Sequence, residues 1–137
     1  MTESPARKPW WRRWFGTRSE RAAARFLRRL GCRILARNYS SPHGELDLVA
    51  EQAGCVVFVE VRSTGGDDAE RTALSVDATK QRRLTRLALH YLQRHGLLNH
   101  PARFDVLIVT WPADRRAPRI DHYPSAFEAV GRGQMYS

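Results

Sequence analysis

The sequence has few of the features that would place it outside the class of small globular proteins. No segment approaches the roughly 18 consecutive apolar residues of a membrane-spanning helix, so we expect no transmembrane segment. Residues 1–16 lack the apolar stretch of a signal peptide, and we expect a cytoplasmic protein. The two cysteines, Cys32 and Cys55, lie in apolar stretches, which favours buried thiols over a disulfide. The five histidines show no spacing typical of a zinc site.

Lysine is also scarce, because arginine supplies nearly all of the positive charge. Of 23 basic residues only Lys8 and Lys80 are lysine, and the formal net charge is +9. The charge is unevenly placed, with a local balance of +8 over residues 1–33 and of −6 over residues 44–70. This distribution suggests a phosphate-binding surface around a cation site, and solvated charges scattered by chance are the alternative.

Apolar periodicity predicts two helices. The first is expected to begin with Ser19 as its N-cap and to end at Gly31, with an apolar stripe of Ala23, Phe26, Leu27 and Leu30. The second covers about residues 78–95 after Asp77 as its N-cap. Its stripe contains Leu84, Leu87, Ala88, Tyr91 and Leu92.

The remaining regular segments read as strands of one mixed β-sheet. Residues 32–39, 44–50, 55–62, 103–111 and 120–123 have the composition or the alternation of strands. The predicted order is therefore α-β-β-β-α-β-β, an α/β domain with helices packed on the sheet. We expect this domain to cover residues 19–127, between a basic, Trp-rich N-terminal tail (1–18) and a C-terminal tail (128–137).

An unusual feature of the third predicted strand is Glu60, which interrupts an apolar run. If residues 44–50 and 55–62 form a hairpin that turns at Gly54, Asp47 lies opposite Glu60 and Glu45 lies opposite Arg62. Two opposed carboxylates destabilise a sheet unless something lies between them. A divalent cation would satisfy both, a shared proton is the alternative, and a register slip would remove the conflict.

The segments in this order resemble a known family. An acid on one strand followed by Glu-x-basic on the next resembles the PD-(D/E)-x-K nuclease signature. The strings GELDLVA and VVFVEVRS, with ILARNY before them and RFDV and SAF after them, are similar to the YraN family of bacterial endonuclease-like proteins. The resemblance covers about residues 19–127 and implies a restriction-endonuclease-like core related to archaeal Holliday-junction resolvases.

The resemblance also implies a ligand set for Mg²⁺ or Mn²⁺. Asp47 and Glu60 match the metal-ligand positions, and the backbone carbonyl of Val61 is a usual further ligand. Glu20 matches a glutamate of the first helix, with a first-turn acid favoured by the helix dipole as the alternative. Glu45 is expected to lie behind these ligands or to pair with Arg62.

Arg62 departs from the motif, which has lysine at this position. Arginine cannot release a proton, although its planar group can hold a phosphate through two hydrogen bonds. Lys80 is the one lysine outside the predicted tails, and it starts the apolar stripe of the second helix. We therefore expect Lys80 to supply any lysine chemistry, with a lysine that extends to solvent as the alternative.

The function that these features indicate is metal-dependent hydrolysis of a nucleic acid, most simply DNA, by an endonuclease. Alternatives are a catalytically degenerate nucleic-acid-binding protein and a module that docks on a membrane surface or on a protein. The sequence leaves the oligomeric state open, a homodimer included. We expect arginines outside the two apolar stripes to contact phosphates, so that the affinity for nucleic acid falls steeply as the salt concentration rises. These residues are Arg25, Arg28, Arg29, Arg82, Arg83 and Arg86.

Overall fold

The structure is a computed structural model that describes residues 10–65, 69–114 and 117–128, without the side chains of residues 10–17, 70 and 74. Within these ranges the helices are α1 (Trp10–Arg29), α2 (Ala69–Leu74) and α3 (Ala78–Arg94). The strands are β1 (Arg33–Ser41), β2 (Gly44–Gln52), β3 (Cys55–Thr64), β4 (Ala102–Thr110) and β5 (Arg119–Phe127).

The strands form one mixed sheet in the order β1-β2-β3-β4-β5. Neighbouring strands are antiparallel except β3 and β4, which are parallel. The segment that contains α2 and α3 connects this parallel pair, as a crossover must. The predicted fold class, a mixed sheet flanked by helices, is confirmed.

The two long helices cover opposite faces of the sheet. On one face Val57 and Val59 of β3 pack with Ala23 and Leu27 of α1. On the other face Phe58 packs in a cluster with Leu84, Leu87 and Tyr91 of α3. Because both of its faces are covered, β3 is apolar throughout its centre, which explains why an alternating pattern is missing there. The five apolar residues predicted for the second helix are all buried.

The hairpin has the predicted register. Leu48 pairs with Val59, and Gln52 pairs with Cys55 across the turn. Ala53 and Gly54 at the turn both have positive φ, 51° and 82°, as two-residue hairpin turns require. A register slip, the alternative that would have moved the two carboxylates apart, is therefore excluded.

The predicted start of the first helix was wrong. The helix begins at Trp10, nine residues before the expected cap, and no proline interrupts it before it ends at Arg29. Ser19 is buried inside the helix instead of capping it. Leu30, predicted to be in the apolar stripe, follows the helix and is 43% exposed.

The prediction also missed α2, since no helix or strand was predicted between residues 62 and 78, and it ended β5 four residues too early. The short α2 has no long apolar stripe from which periodicity could be read. The bounds of α3, Ala78–Arg94, agree closely with the predicted residues 78–95. Asp77 caps this helix by accepting the backbone N–H of Lys80 at 2.9 Å. In the described part of the chain, none of the helices is both long and apolar enough to span a membrane.

A buried carboxylate of β4, Asp105, organises a hydrogen-bond network that reaches β5 and the hairpin-turn end of β2. Asp105 is fully buried, and its Oδ1 accepts from Arg103 Nε and from the backbone N–H of Ser125, both at 3.0 Å. Its Oδ2 lies 2.8 Å from His122 Nε2. Arg103 also donates to Gln52 Oε1 at 2.9 Å. This network therefore links β4 to β5 and to the end of β2.

Removing the buried carboxylate should destabilise the domain strongly. Asp105→Ala leaves the Arg103 guanidinium and the Ser125 N–H without their partner, so we expect a loss of about 3 kcal/mol in the free energy of unfolding. Urea denaturation measures this as a shift of the midpoint at constant slope. The matched control is Asp121→Ala, which breaks the exposed ion pair with Arg119 and should cost less than about 1 kcal/mol. Equal losses in both variants would contradict the assigned role of Asp105.

Candidate functional site

The strand alternation of β2 breaks at Asp47. Leu46 packs in the cluster on the α3 face, whereas Leu48 packs on the α1 face, although regular alternation places both on one face of a strand. On the neighbouring strand Asn38, which lies between the partners of these two leucines, has a positive φ of 51°. The irregularity gives Asp47 an orientation that regular alternation would not have given it.

The pairing between β2 and β3 ends at Leu48 and Val59, directly before Asp47 and Glu60. Beyond this point the Asp47 Oδ2 atom accepts the backbone N–H of Val61 at 2.9 Å. A carboxylate therefore takes the place of a strand carbonyl at the open end of the hairpin. The Asp47 side chain is half-buried there, and Glu60 is 7% exposed.

Two cationic side chains converge on one oxygen of Glu60. Arg62 Nε donates to Glu60 Oε2 at 3.0 Å, and Lys80 Nζ lies 3.2 Å from the same atom. The side chains of Arg62 and Lys80 are 31% and 32% exposed, so both remain accessible from solvent. The sequence predicted that Lys80 faces the sheet, and its ammonium reaches the same carboxylate as Arg62. The first turn of α3, which Asp77 caps, determines the position of Lys80.

Helix α1 approaches the same end of the sheet through a contact that sequence reasoning missed. The hydroxyls of Ser19 and Ser63 form a hydrogen bond, and Trp111 Nε1 donates to Ser19 Oγ at 2.9 Å. The guanidinium of Arg18 lies 3.6 Å above the Trp111 ring centre, a cation–π contact. No spacing in the sequence could have revealed these contacts, because the bonded residues are 44 and 92 positions apart.

The helical contact brings Glu20 toward the two strand carboxylates. Glu20 is buried, and its charge is one of those that act on Asp47. Because α1 begins at Trp10, Glu20 is not in the first turn of the helix, so the helix dipole does not explain it. The charges of Glu20 and Glu60 therefore both act on Asp47 at this end of the sheet.

The crowding of carboxylates changes the protonation of Asp47. Burial, followed by the charge of Glu60, raises the pKa of Asp47 to about 8 from its ordinary value of 3.8. The charge of Glu20 adds to the rise, and the hydrogen bond from Val61 opposes it. In the absence of another cation, the site therefore holds a proton on Asp47 at neutral pH.

The donor set suits a small, hard divalent cation. Mg²⁺ is commonly held by one or two carboxylates together with waters, and Mn²⁺ accepts similar oxygen ligands. Asp47 and Glu60 could supply the carboxylates of such a site, and the N–H of Val61 orients Asp47. Among the described residues, no three His, Cys, Asp or Glu side chains are grouped closely enough to hold a metal by themselves. A two-carboxylate site completed by waters and substrate is the arrangement that fits.

The remaining predicted site residues are exposed. Glu45 is exposed and pairs with Ser40 of β1, and the β2–β3 ladder does not extend to Glu45 and Arg62. The six arginines are exposed as predicted, but they form two sets, because α1 and α3 lie on opposite faces of the sheet. The set on α3 begins two residues after Lys80: Arg82, Arg83 and Arg86.

The raised pKa of Asp47 should appear in the stability of the metal-free protein. In the unfolded chain Asp47 has its ordinary pKa of 3.8, so its proton has been released above about pH 4. The folded chain keeps this proton up to about pH 8. This contribution to stability is thus full below about pH 4 and is lost as the pH rises through about 8. Relative to Asp47→Asn, the wild type in chelator should lose stability from pH 5 to pH 8.5, measured by urea denaturation.

The control for this pH dependence is Glu128→Gln, at an exposed carboxyl group near the end of the described chain. The difference in stability between Glu128→Gln and the wild type should show no such trend with pH. The free energy of unfolding of the wild type relative to Asp47→Asn should decrease with rising pH. If it stays constant or increases, the protonation assigned to Asp47 is contradicted.

Comparison with known proteins places the chain in a family. Residues 19–109 match the model described as "Uncharacterised protein family UPF0102". A UPF0102 protein of Rhodopirellula baltica is 45% identical over 88% of this chain and 74% of its own length. One from Pelotomaculum thermopropionicum is 40% identical over 85% of this chain and 97% of its own length, and one from Symbiobacterium thermophilum is 46% identical over 74% and 86%. The chain therefore belongs to the UPF0102 family.

Proposed function

We propose that the protein is a divalent-metal-dependent endonuclease that hydrolyses phosphodiesters of DNA. The single observation that carries this proposal is the pair Asp47 and Glu60 at the open end of the hairpin, with Lys80 at Glu60 Oε2. Opposed carboxylates with an adjacent cationic side chain match the PD-(D/E)-x-K signature that the sequence resembles. Similarity to the YraN family of endonuclease-like proteins supports the same reaction class.

The chain's residues have distinct roles in the proposed reaction. Asp47 and Glu60 would hold Mg²⁺ or Mn²⁺, with the Val61 carbonyl and Glu20 as further candidate ligands. The bound ion would lower the pKa of a water and neutralise charge on the phosphate. The Val61 N–H fixes the orientation of Asp47 through its 2.9 Å bond, so that this carboxylate need not reorganise when the ion binds.

The two cations at Glu60 differ in the chemistry that they can supply. Arg62 stays charged and can hold a phosphate oxygen by two hydrogen bonds, which makes it a binding group. Lys80 presents a compact ammonium that can orient the attacking water or offset charge on the phosphate. We assign the role of the motif lysine to Lys80, which reaches the site from a helix instead of from the strand.

A nucleic acid is the substrate class that best fits the charge of the molecule. The exposed arginines of α3 follow Lys80 along its helix and would contact phosphates without reading bases. The arginines of α1 lie behind the sheet from this set, so one straight duplex segment would not contact both. A binding-only protein is the second candidate, and the specific observation for it is Arg62 in place of lysine.

The alternative function, docking on a membrane surface or on a protein, depends on the WWRRW cluster at residues 10–14. These residues are helical, but their side chains lie outside the part of the chain that the structure describes. Stacking on unpaired bases and contact with lipid remain alternatives from the sequence.

The metal site can be tested by calorimetry and by cleavage in parallel. Mn²⁺ should bind the wild type, and Asp47→Asn or Glu60→Gln should abolish that binding because each removes a carboxylate ligand. The same variants should lose cleavage of a panel of labelled linear, nicked and branched DNA. The matched control is Glu51→Gln, which removes an acid of the same strand near the hairpin turn and should retain both properties. Absence of Mn²⁺ binding to the wild type at millimolar concentration, with and without DNA, would refute the proposal.

The roles of the two cations can be separated by exchanging them. Lys80→Arg keeps the positive charge but removes the compact ammonium, so we expect turnover to fall at least about 100-fold with DNA affinity retained. Arg62→Lys restores the motif and should retain or raise the rate. Both are measured as single-turnover cleavage in Mn²⁺. Full activity in Lys80→Arg would remove Lys80 from the mechanism, and cleavage by neither the wild type nor Arg62→Lys would leave the binding-only function.

A further inference from the structure

One edge of α3 connects the carboxylate site to the far end of the helix. Lys80, Arg83, Leu87, His90 and Arg94 are spaced alternately three and four residues apart, so they follow one another along this edge. Leu87 is buried, whereas Arg83 and Arg94 are exposed and form no ion pair with any residue that the structure describes. His90 lies ten positions after Lys80, which corresponds to about 15 Å along the helix.

A cluster of five rings lies where this edge meets the outer strand of the sheet. Tyr39 OH and His90 Nδ1 are 2.7 Å apart, and the ring centres of His43 and His90 are 6.0 Å apart. Tyr91 contacts Tyr39 edge-on at 5.1 Å and stacks with His95 at 4.1 Å. We refer to Tyr39, His43, His90, Tyr91 and His95 as the ring cluster.

The outer members of the ring cluster are accessible. His43 and His95 are exposed and His90 is half-buried, whereas Tyr91 belongs to the apolar core beneath them. His43 stands on the tight β1–β2 turn, where its N–H donates to Ser41 Oγ and Gly44 has a φ of 128°. The turn therefore presents the His43 ring beside the helix edge.

Aromatic rings at the end of a line of cations are the arrangement that binds a single strand of nucleic acid. Cations track the phosphates, and rings stack on bases without sequence preference. An apolar protein partner fits less well, because the exposed rings are imidazoles and the flanking residues, Arg83 and Arg94, are charged.

We propose that the ring cluster is a stacking site for an unpaired nucleobase of a strand that follows the α3 edge from the carboxylate site. This inference rests on the proposed nucleic-acid function and adds a substrate class to it, DNA with a single-stranded extension. With about 3.4 Å per nucleotide along a stacked strand, the 15 Å path along the helix corresponds to about four nucleotides. The carboxylate site then engages a phosphate near the junction between duplex and single strand.

The test compares DNA ligands that differ only in their extension. Fluorescence anisotropy measures binding of a blunt duplex and of duplexes with one-nucleotide or five-nucleotide overhangs of each polarity. The measurements are made in Ca²⁺, after control reactions have established that the DNA stays uncut. A further ligand of each polarity has abasic sites throughout the five-nucleotide overhang. For the wild type we expect one polarity of the five-nucleotide overhang to bind at least about 5-fold more tightly than the blunt, short or abasic ligands, since a stacked base contributes about 1 kcal/mol or more.

Variants of His43 assign this gain to the ring cluster. His43→Ala should remove the gain and leave blunt-duplex affinity unchanged, whereas His43→Phe, which keeps an aromatic face without a charge, should retain it. The matched control is His100→Ala, at an exposed histidine of the α3–β4 connection, which should change neither affinity.

The outcomes separate this inference from the function on which it rests. A wild type that binds no DNA of any form would refute nucleic-acid binding and the stacking site together. Binding without an overhang preference, or with a preference that His43→Ala leaves intact, would overturn the stacking site alone. If His43→Ala and His43→Phe lose the extra affinity for the five-nucleotide overhang equally, charge and not stacking supplies that affinity. This result would also overturn the stacking site.

Discussion

The hydrogen bond from the Val61 N–H to the Asp47 carboxylate is the contact on which the geometry of the candidate site depends. It lies directly beyond the last pair of the hairpin ladder, Leu48 with Val59. A side-chain oxygen here replaces a strand carbonyl, so the Val61 donor is satisfied although the ladder has ended. The same bond holds a carboxylate beside Glu60, in a position that a regular antiparallel pair would not favour.

The charges around this bond explain why the arrangement is tolerated. Glu60 is stabilised by Arg62 and Lys80 at a single oxygen, and Asp47 holds a proton because burial and neighbouring carboxylates raise its pKa to about 8. Positive charge therefore enters the site in two forms, as side-chain cations and as a proton. A divalent cation would compete with the proton, since metal ligands must be deprotonated. The residues are thus arranged to favour uptake of positive charge.

Helix α3 combines structural and functional roles on separate sides. Its apolar stripe packs on Phe58 and Val106 of the sheet, which fixes the helix in place. Its first turn positions Lys80 at Glu60, and its outer edge carries arginines and ends at the ring cluster. The Asp105 network fixes the opposite side of β4 against β5 and β2. Each of these positions is defined by packing or by buried hydrogen bonds, so the site rests on rigid elements.

Local signals in the sequence determined much of the molecule. The hairpin turn at Ala53 and Gly54 set the register of the ladder as far as Leu48 and Val59, because a two-residue turn leaves no freedom in strand pairing. The cap at Asp77 and the stripe from Leu84 to Leu92 defined α3 and directed Lys80 toward the sheet. Turn residues, caps and periodicity act between neighbours in the chain, and a single sequence displays them.

Only the tertiary structure decided the remaining features. Ser19 has the residue type of an N-cap, yet it is buried in mid-helix because its hydroxyl bonds with Ser63 and Trp111. The break of alternation at Asp47 coincides with the positive φ of Asn38 on the neighbouring strand. Whether the arginines formed one surface depended on which sheet face each helix covers. These features arise from contacts between residues distant in the chain, for which local pattern carries no signal.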